Sequence, residues 1–118
     1  MSMAELKPHP LCIAKAYYVG KELAEALSRL ELVPTTREEV RKRSIDLVRS
    51  RIKLLVGELE ELIKGGCFPN ELIEKARNAV ELANEALRLV DTNPSEALKK
   101  LSYVESILDD VTHTMYAY

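Results

Sequence analysis

Apolar and small residues recur at helical spacing along most of the chain, and most regularly between Leu72 and Leu108. Leu72, Ala76, Ala79, Ala83, Ala86 and Val90 follow one another at intervals of three or four, with Ile73, Val80 and Leu87 one step beside them. That spacing gathers all of these side chains on one side of a helix. After Asn93, Pro94, Ser95 and Glu96 the pattern resumes at Leu98, Leu101, Val104, Leu108 and Val111. Alanine has the shortest apolar side chain, so a stripe of it lets a neighbouring helix approach closely. The two segments therefore read as a helical hairpin at the tight centre of a bundle.

Two further helices precede the hairpin. The first is predicted over about 11–32, with Ala16, Tyr17, Gly20, Leu23, Ala24, Leu27 and Leu30 on its apolar side. Pro34 ends it, because the residue before a proline avoids helical backbone. Gly20, inside this helix, is expected to mark a close crossing with a neighbour. Thr35 and Thr36 each precede a glutamate (Glu38, Glu39) by three residues, the spacing of a capping box at the start of the second helix. That helix runs to Lys64, and Gly65 and Gly66 supply a left-handed stop. Its main apolar face holds Ile45, Val48, Ile52, Leu55, Val56, Leu59, Leu62 and Ile63. A second stripe, Val40, Leu47 and Leu54, repeats every seven residues to one side. A helix apolar over so wide an arc is enclosed by its own bundle or shared with another subunit.

Pro69 opens the third helix, which is expected to end around Asp91. Asn93 then caps the fourth, with Pro94 at its first position and Glu96 three residues beyond the cap. The fourth helix reaches at least Thr112, with Tyr116 as its furthest expected residue, and the apolar end Tyr116, Ala117, Tyr118 is expected to fold back on the bundle. Four amphipathic helices joined by short loops predict an all-α, antiparallel up-down-up-down four-helix bundle. It occupies 11–118 as a single domain behind a flexible arm of ten residues that carries two prolines.

Composition narrows the function classes. A formal net charge of −2 speaks against a generally basic nucleic-acid binder. Glu, Lys and Arg are abundant while Gln and Trp are absent, a bias that fits a thermophilic source. No apolar run is long enough to span a bilayer, and Met1 to Pro10 lacks the apolar centre of a signal peptide. A cytoplasmic location is expected. Cys12 and Cys67 are the only cysteines, too few for a secreted disulfide framework. They read as free, packed thiols, with a single bridge open if the source is a hyperthermophile.

Each candidate chemistry meets a plainer reading. His9, Cys12, Cys67 and His113 could form a zinc set, but zinc ligands come in two close pairs and here the second pair is split. Asp109 and Asp110 precede His113 by a helical turn, an arrangement that a di-iron bundle needs twice and the chain has once. Glu58 with Glu61, and Glu71 with Glu74, resemble the paired acidic motifs by which all-α nucleoside triphosphate pyrophosphohydrolases hold magnesium. Those on the second helix lie on its polar side, so a solvated acidic face is expected instead. No nucleophile elbow or phosphate loop is present. Basic residues crowd the start of the second helix, where Lys42, Arg49 and Lys53 are candidate phosphate contacts. Arg41 and Arg51 point toward the edge of the apolar arc and are expected to form partly buried ion pairs.

The seam from Ala86, Leu87, Arg88 and Leu89 to Pro94, Glu96, Ala97 and Leu98 is similar to a junction between tetratricopeptide repeats, but the required period fails at Gly65 to Pro69. Ala97, Tyr103, Leu108 and Asp109, with Glu105 between, stand at the spacings of an archaeal family known as domain of unknown function 357. In that family Ser106 is often Gly, and a Gly-Asp turn occupies the place of Asn93 and Pro94. The chain resembles it over roughly the last 45 residues. The resemblance implies a small archaeal helical bundle and no activity.

The sequence thus points to a non-enzymatic protein-interaction module without cofactor or metal, expected to form a homodimer through Val40, Leu47 and Leu54 of the second helix or to bind another protein partner. A nucleic-acid accessory protein and a metal-dependent nucleotide hydrolase are the alternatives.

Overall fold

The computed structural model describes residues 9–32 and 37–117. Four helices follow in order: α1 (Pro10–Leu32), α2 (Glu38–Lys64), α3 (Asn70–Leu89) and α4 (Pro94–Ala117). No strand occurs among the described residues. Each helix touches its two neighbours in the cycle α1, α2, α3, α4 and back to α1, while the diagonal pairs do not meet. The two short dimensions of the molecule are equal, 19 Å each, as four rods on the corners of a square require. The expected up-down-up-down bundle is the fold.

The core follows the periodicity. On α3 the whole stripe Leu72, Ala76, Ala79, Ala83, Ala86 and Val90 is buried, and Ile73, Val80 and Leu87 are half-buried beside it. On α4 Ala97, Leu101, Val104, Leu108, Val111 and Met115 face the same centre. The contact of α3 with α4 is the most extensive of the four. On α2 six of the eight expected residues are buried, and Ile45 and Ile63 pack at the edges.

The apolar face of α1 is turned relative to the expected one. Val19 and Ala26 are in the core, whereas Tyr17 is half exposed and lies under the ammonium of Lys21, whose nitrogen is 5.2 Å from the ring centroid. A phenol keeps its polar tip wet and accepts a cation over its face, so the smaller Val19 takes the inner position. Gly20 does face α4, but a Cβ placed there would meet that of Leu108 at 4.0 Å, an ordinary contact. The crossing does not require glycine.

The helix ends differ from expectation in detail. Pro10 belongs to α1 rather than to an arm: it is the first helical residue, and His9 caps it by accepting the Leu11 amide on Nδ1 at 3.0 Å. The remainder of the arm, Thr35, Thr36 and Tyr118 lie outside the described residues. Arg37, not a threonine, holds the cap position of α2 in extended backbone, and its side chain has no acceptor to offer. Asn93 behaves as predicted, its Oδ1 accepting the Glu96 amide at 3.2 Å. Tyr116 does not fold back. Helix α4 continues to Ala117 and leaves Tyr116 69% exposed, because the inward position in this turn belongs to Met115.

The stop after α2 is a Schellman turn. Gly65 keeps right-handed backbone and only Gly66, at φ 73°, is left-handed. The Cys67 amide reaches back to the Leu62 carbonyl at 3.0 Å and the Gly66 amide to that of Ile63 at 3.2 Å. This turn carries Cys67 to the end of the bundle where α1 begins, and there it is bonded to Cys12, with a Cα to Cα distance of 5.2 Å. The cysteines are therefore not free thiols. The topology brings the start of α1 and the α2–α3 loop to the same end, a proximity that spacing in the chain does not reveal.

The bridge closes a loop of 55 residues, which restricts the unfolded chain by about 4 kcal/mol on the loop-entropy relation. Reduction, or Cys67→Ser, is expected to lower the free energy of unfolding by about 2–4 kcal/mol in urea titrations with and without reductant. An unchanged midpoint and slope would contradict this.

Candidate functional site

The four hypothetical zinc ligands do not assemble: Cys12 and Cys67 are bonded to each other, and the His9 ring is engaged as a helix cap. His113 lies 78% exposed on α4, its Nδ1 3.7 Å from the Asp109 carboxylate, one turn before it. No group of three or more His, Cys, Asp or Glu side chains among the described residues could hold a metal ion. Glu58 and Glu61 are exposed on α2, and Glu71 and Glu74 on α3, with Glu74 paired to Arg77 at 3.2 Å.

The basic residues at the start of α2 are likewise divided. Lys42 and Lys53 are exposed, but Arg49 between them is half-buried and bound to Asp46 at 2.8 Å and to Asp91 at the end of α3. A guanidinium held by two carboxylates is largely neutralised before any phosphate arrives. Arg51 crosses to Glu22 of α1, the partly buried pair expected at the edge of the apolar arc, and Arg41 is half-buried.

The remaining feature is apolar. Val40, Leu47 and Leu54 of α2 are 48%, 60% and 67% exposed; Leu47 and Leu54 border α1 on the outward side of the α1–α2 layer, and Val40 lies two turns before Leu47 on the same stripe. Two adjoining grooves run between these helices. One is bounded by Tyr18, Glu22, Leu47, Arg51 and Leu54, and the other by Leu11, Tyr18, Leu54, Gly57 and Glu61. Leu11 and Tyr18 of α1 are themselves exposed, so the patch spans both helices. Scattered surface leucines are ordinary, but a contiguous apolar patch with a charged rim marks a contact surface.

Gly57 lies within this patch, and a Cβ built on it would have nothing within 4 Å. Glycine inside a helix costs roughly 0.5–1 kcal/mol against alanine. The isolated bundle gains no packing from that cost. Seven-residue spacing marks the α2 residues in the sequence, whereas Leu11 and Tyr18 carry no such mark, because their relation to Leu54 exists only once α1 lies against α2. None of the described helices is long and apolar enough to cross a membrane.

Comparison with protein-family models, with curated proteins and with solved structures finds no match. The residues themselves must carry the functional reading.

One polar contact has a readable pH dependence. Lys100 of α4 donates to Glu85 of α3 at 2.9 Å. That hydrogen bond, and then the Lys100 charge, hold the Glu85 carboxyl below its ordinary value. The same bond, more than the Glu85 charge, raises the Lys100 ammonium above its own. The Glu85 contribution is present above the usual carboxylate range and is lost as pH falls through its lowered value. The Lys100 contribution is present below the usual ammonium range and is lost as pH rises through its raised value. Denaturation of Lys100→Met and wild-type protein is expected to show a stability difference at neutral pH that shrinks in acid. A difference independent of pH would assign the effect to lost stem packing.

Proposed function

We propose that the chain is a non-enzymatic protein-interaction module that binds through the outer face of its α1–α2 layer. The observation that supports this most directly is the stripe Val40, Leu47 and Leu54, which the bundle leaves uncovered although its own core is complete without it. Burial of such side chains is favourable at roughly 25 cal/mol per Å² of apolar surface, which gives any partner that covers them a large gain. Tyr18 adds an aromatic anchor of the type enriched at interfaces.

Double replacement Leu47→Glu and Leu54→Glu is expected to abolish association of the tagged protein with its binding partner in its native source, with and without nuclease, while the helical circular dichroism stays unchanged. Loss only after nuclease treatment would instead favour a nucleic-acid role for the exposed Lys42 and Lys53. Retention of the same partner by the double variant would place binding elsewhere.

We further propose a thermophilic, archaeal origin and a cytoplasmic location. The charged, glutamine-free composition supports it, and the Cys12–Cys67 bridge fits a hyperthermophile, in which intracellular disulfides persist. Calorimetry is expected to give a melting temperature above about 90 °C, and a value in the ordinary mesophile range would refute this origin.

A further inference from the structure

We propose that the occupant of the α1–α2 face is a second copy of this chain, docked antiparallel through α2 about a two-fold axis beside Ser50 and Arg51. This rests on the interaction-module reading and specifies its partner. The outward face of α2 reads, in order, Val40, Arg43, Leu47, Ser50, Arg51, Leu54, Glu58 and Glu61. Of the charges that flank its leucines, Arg43 lies toward one end and Glu58 and Glu61 toward the other, with Arg51 between them and Glu39 one turn before Arg43.

Turning a second α2 end for end about the point between Ser50 and Arg51 sets Leu47 of one copy level with Leu54 of the other, twice. Further out, the same register sets Arg43 level with Glu58 of the second copy, again twice, and brings Val40 to the level of Glu61. Two leucine layers are thus bracketed by two pairs of opposite charge, the arrangement of an isologous interface in which one patch complements itself. A parallel arrangement would put Arg43 against Arg43, Glu58 against Glu58 and Glu61 against Glu61. The charges select the antiparallel form.

Two details of the monomer agree with this register. Arg43 and Glu58 are exposed, and neither has a salt-bridge partner among the described residues, so both are available across the axis. Arg51 lies nearest the axis, where its symmetry mate would repel it, and it is the residue that Glu22 of α1 already neutralises. Tyr18 and Leu11 extend the apolar surface beside the seam.

The test is sedimentation equilibrium of the full chain up to millimolar concentration, with circular dichroism to confirm that each variant folds. Wild-type protein is expected to be a dimer that weakens as salt is raised. Leu54→Glu should weaken it by roughly a hundredfold, as for a central interface anchor. Arg43→Glu and Glu58→Arg should each weaken it about tenfold, and the double charge swap should restore it. A monomer at millimolar concentration overturns the proposal, as does a dimer indifferent to Leu54→Glu or a swap that fails to rescue. A monomer that still needs Leu47 and Leu54 to hold a different protein overturns the second copy alone and leaves the interaction module standing. A dimer formed through another face counts against both.

Discussion

The close approach of α3 and α4 is the constraint from which the rest of the bundle follows. Ala76, Ala79, Ala83 and Ala86 are buried on α3, and opposite them α4 supplies the bulk: Leu101, Val104, Leu108 and Val111. The contact of α3 with α4 is the most extensive in the bundle, as small residues on one rod and large ones on the other permit, and a close-packed interior feels even one added methylene. That pairing sets the axis against which α1 and α2 close the square. Thr112, buried where α4 meets α1, satisfies its hydroxyl on the Leu108 carbonyl at 2.9 Å, so no buried side-chain polar atom among the described residues is orphaned.

The two ends of the bundle are secured by different chemistry. At one end the Schellman turn after Lys64 aims Cys67 at Cys12, and a covalent bond ties α1 to the α2–α3 loop. At the other, Arg49 joins α2 to Asp91, and the Asn93 cap starts α4 directly after α3. Lateral ion pairs, Arg51 with Glu22, Lys75 with Asp110 and Lys100 with Glu85, link neighbouring helices along the sides. Exposed pairs of this kind contribute little singly at ordinary temperature, and more as a network in a hot environment, where the penalty for desolvating charge is smaller.

Helix α2 has more apolar surface than a four-rod bundle can cover. One face, from Val48 to Leu62, completes the core, while Val40, Leu47 and Leu54 lie well round the cylinder and face outward. A helix on the corner of a square has two neighbours, and neither reaches that direction. The apolar excess, the exposed Gly57 and the opposite charges of Arg43 and Glu58 all fall on the same outer layer, and their coincidence there is what gives the functional proposal its content.

Periodicity determined the number of helices, their order, the alanine seam and the inner face of α2, because burial against a neighbouring helix selects residues three and four apart and leaves that mark in one dimension. The Asn93 cap and the glycine stop were legible for a similar reason, since both use contacts within a single turn. Other features depend on rotations and neighbours that spacing along the chain does not encode. Val19 rather than Tyr17 faces the core, and Tyr116 stays on the surface. Leu11 and Tyr18 join Leu54 in one patch, and Arg49 is held by Asp91 across 42 positions of sequence. The Cys12–Cys67 bond is the clearest case: two residues 55 positions apart meet only because an up-down topology returns the chain to the end from which it began. Local pattern determined the rods, and their packing decided what each rod shows to the outside.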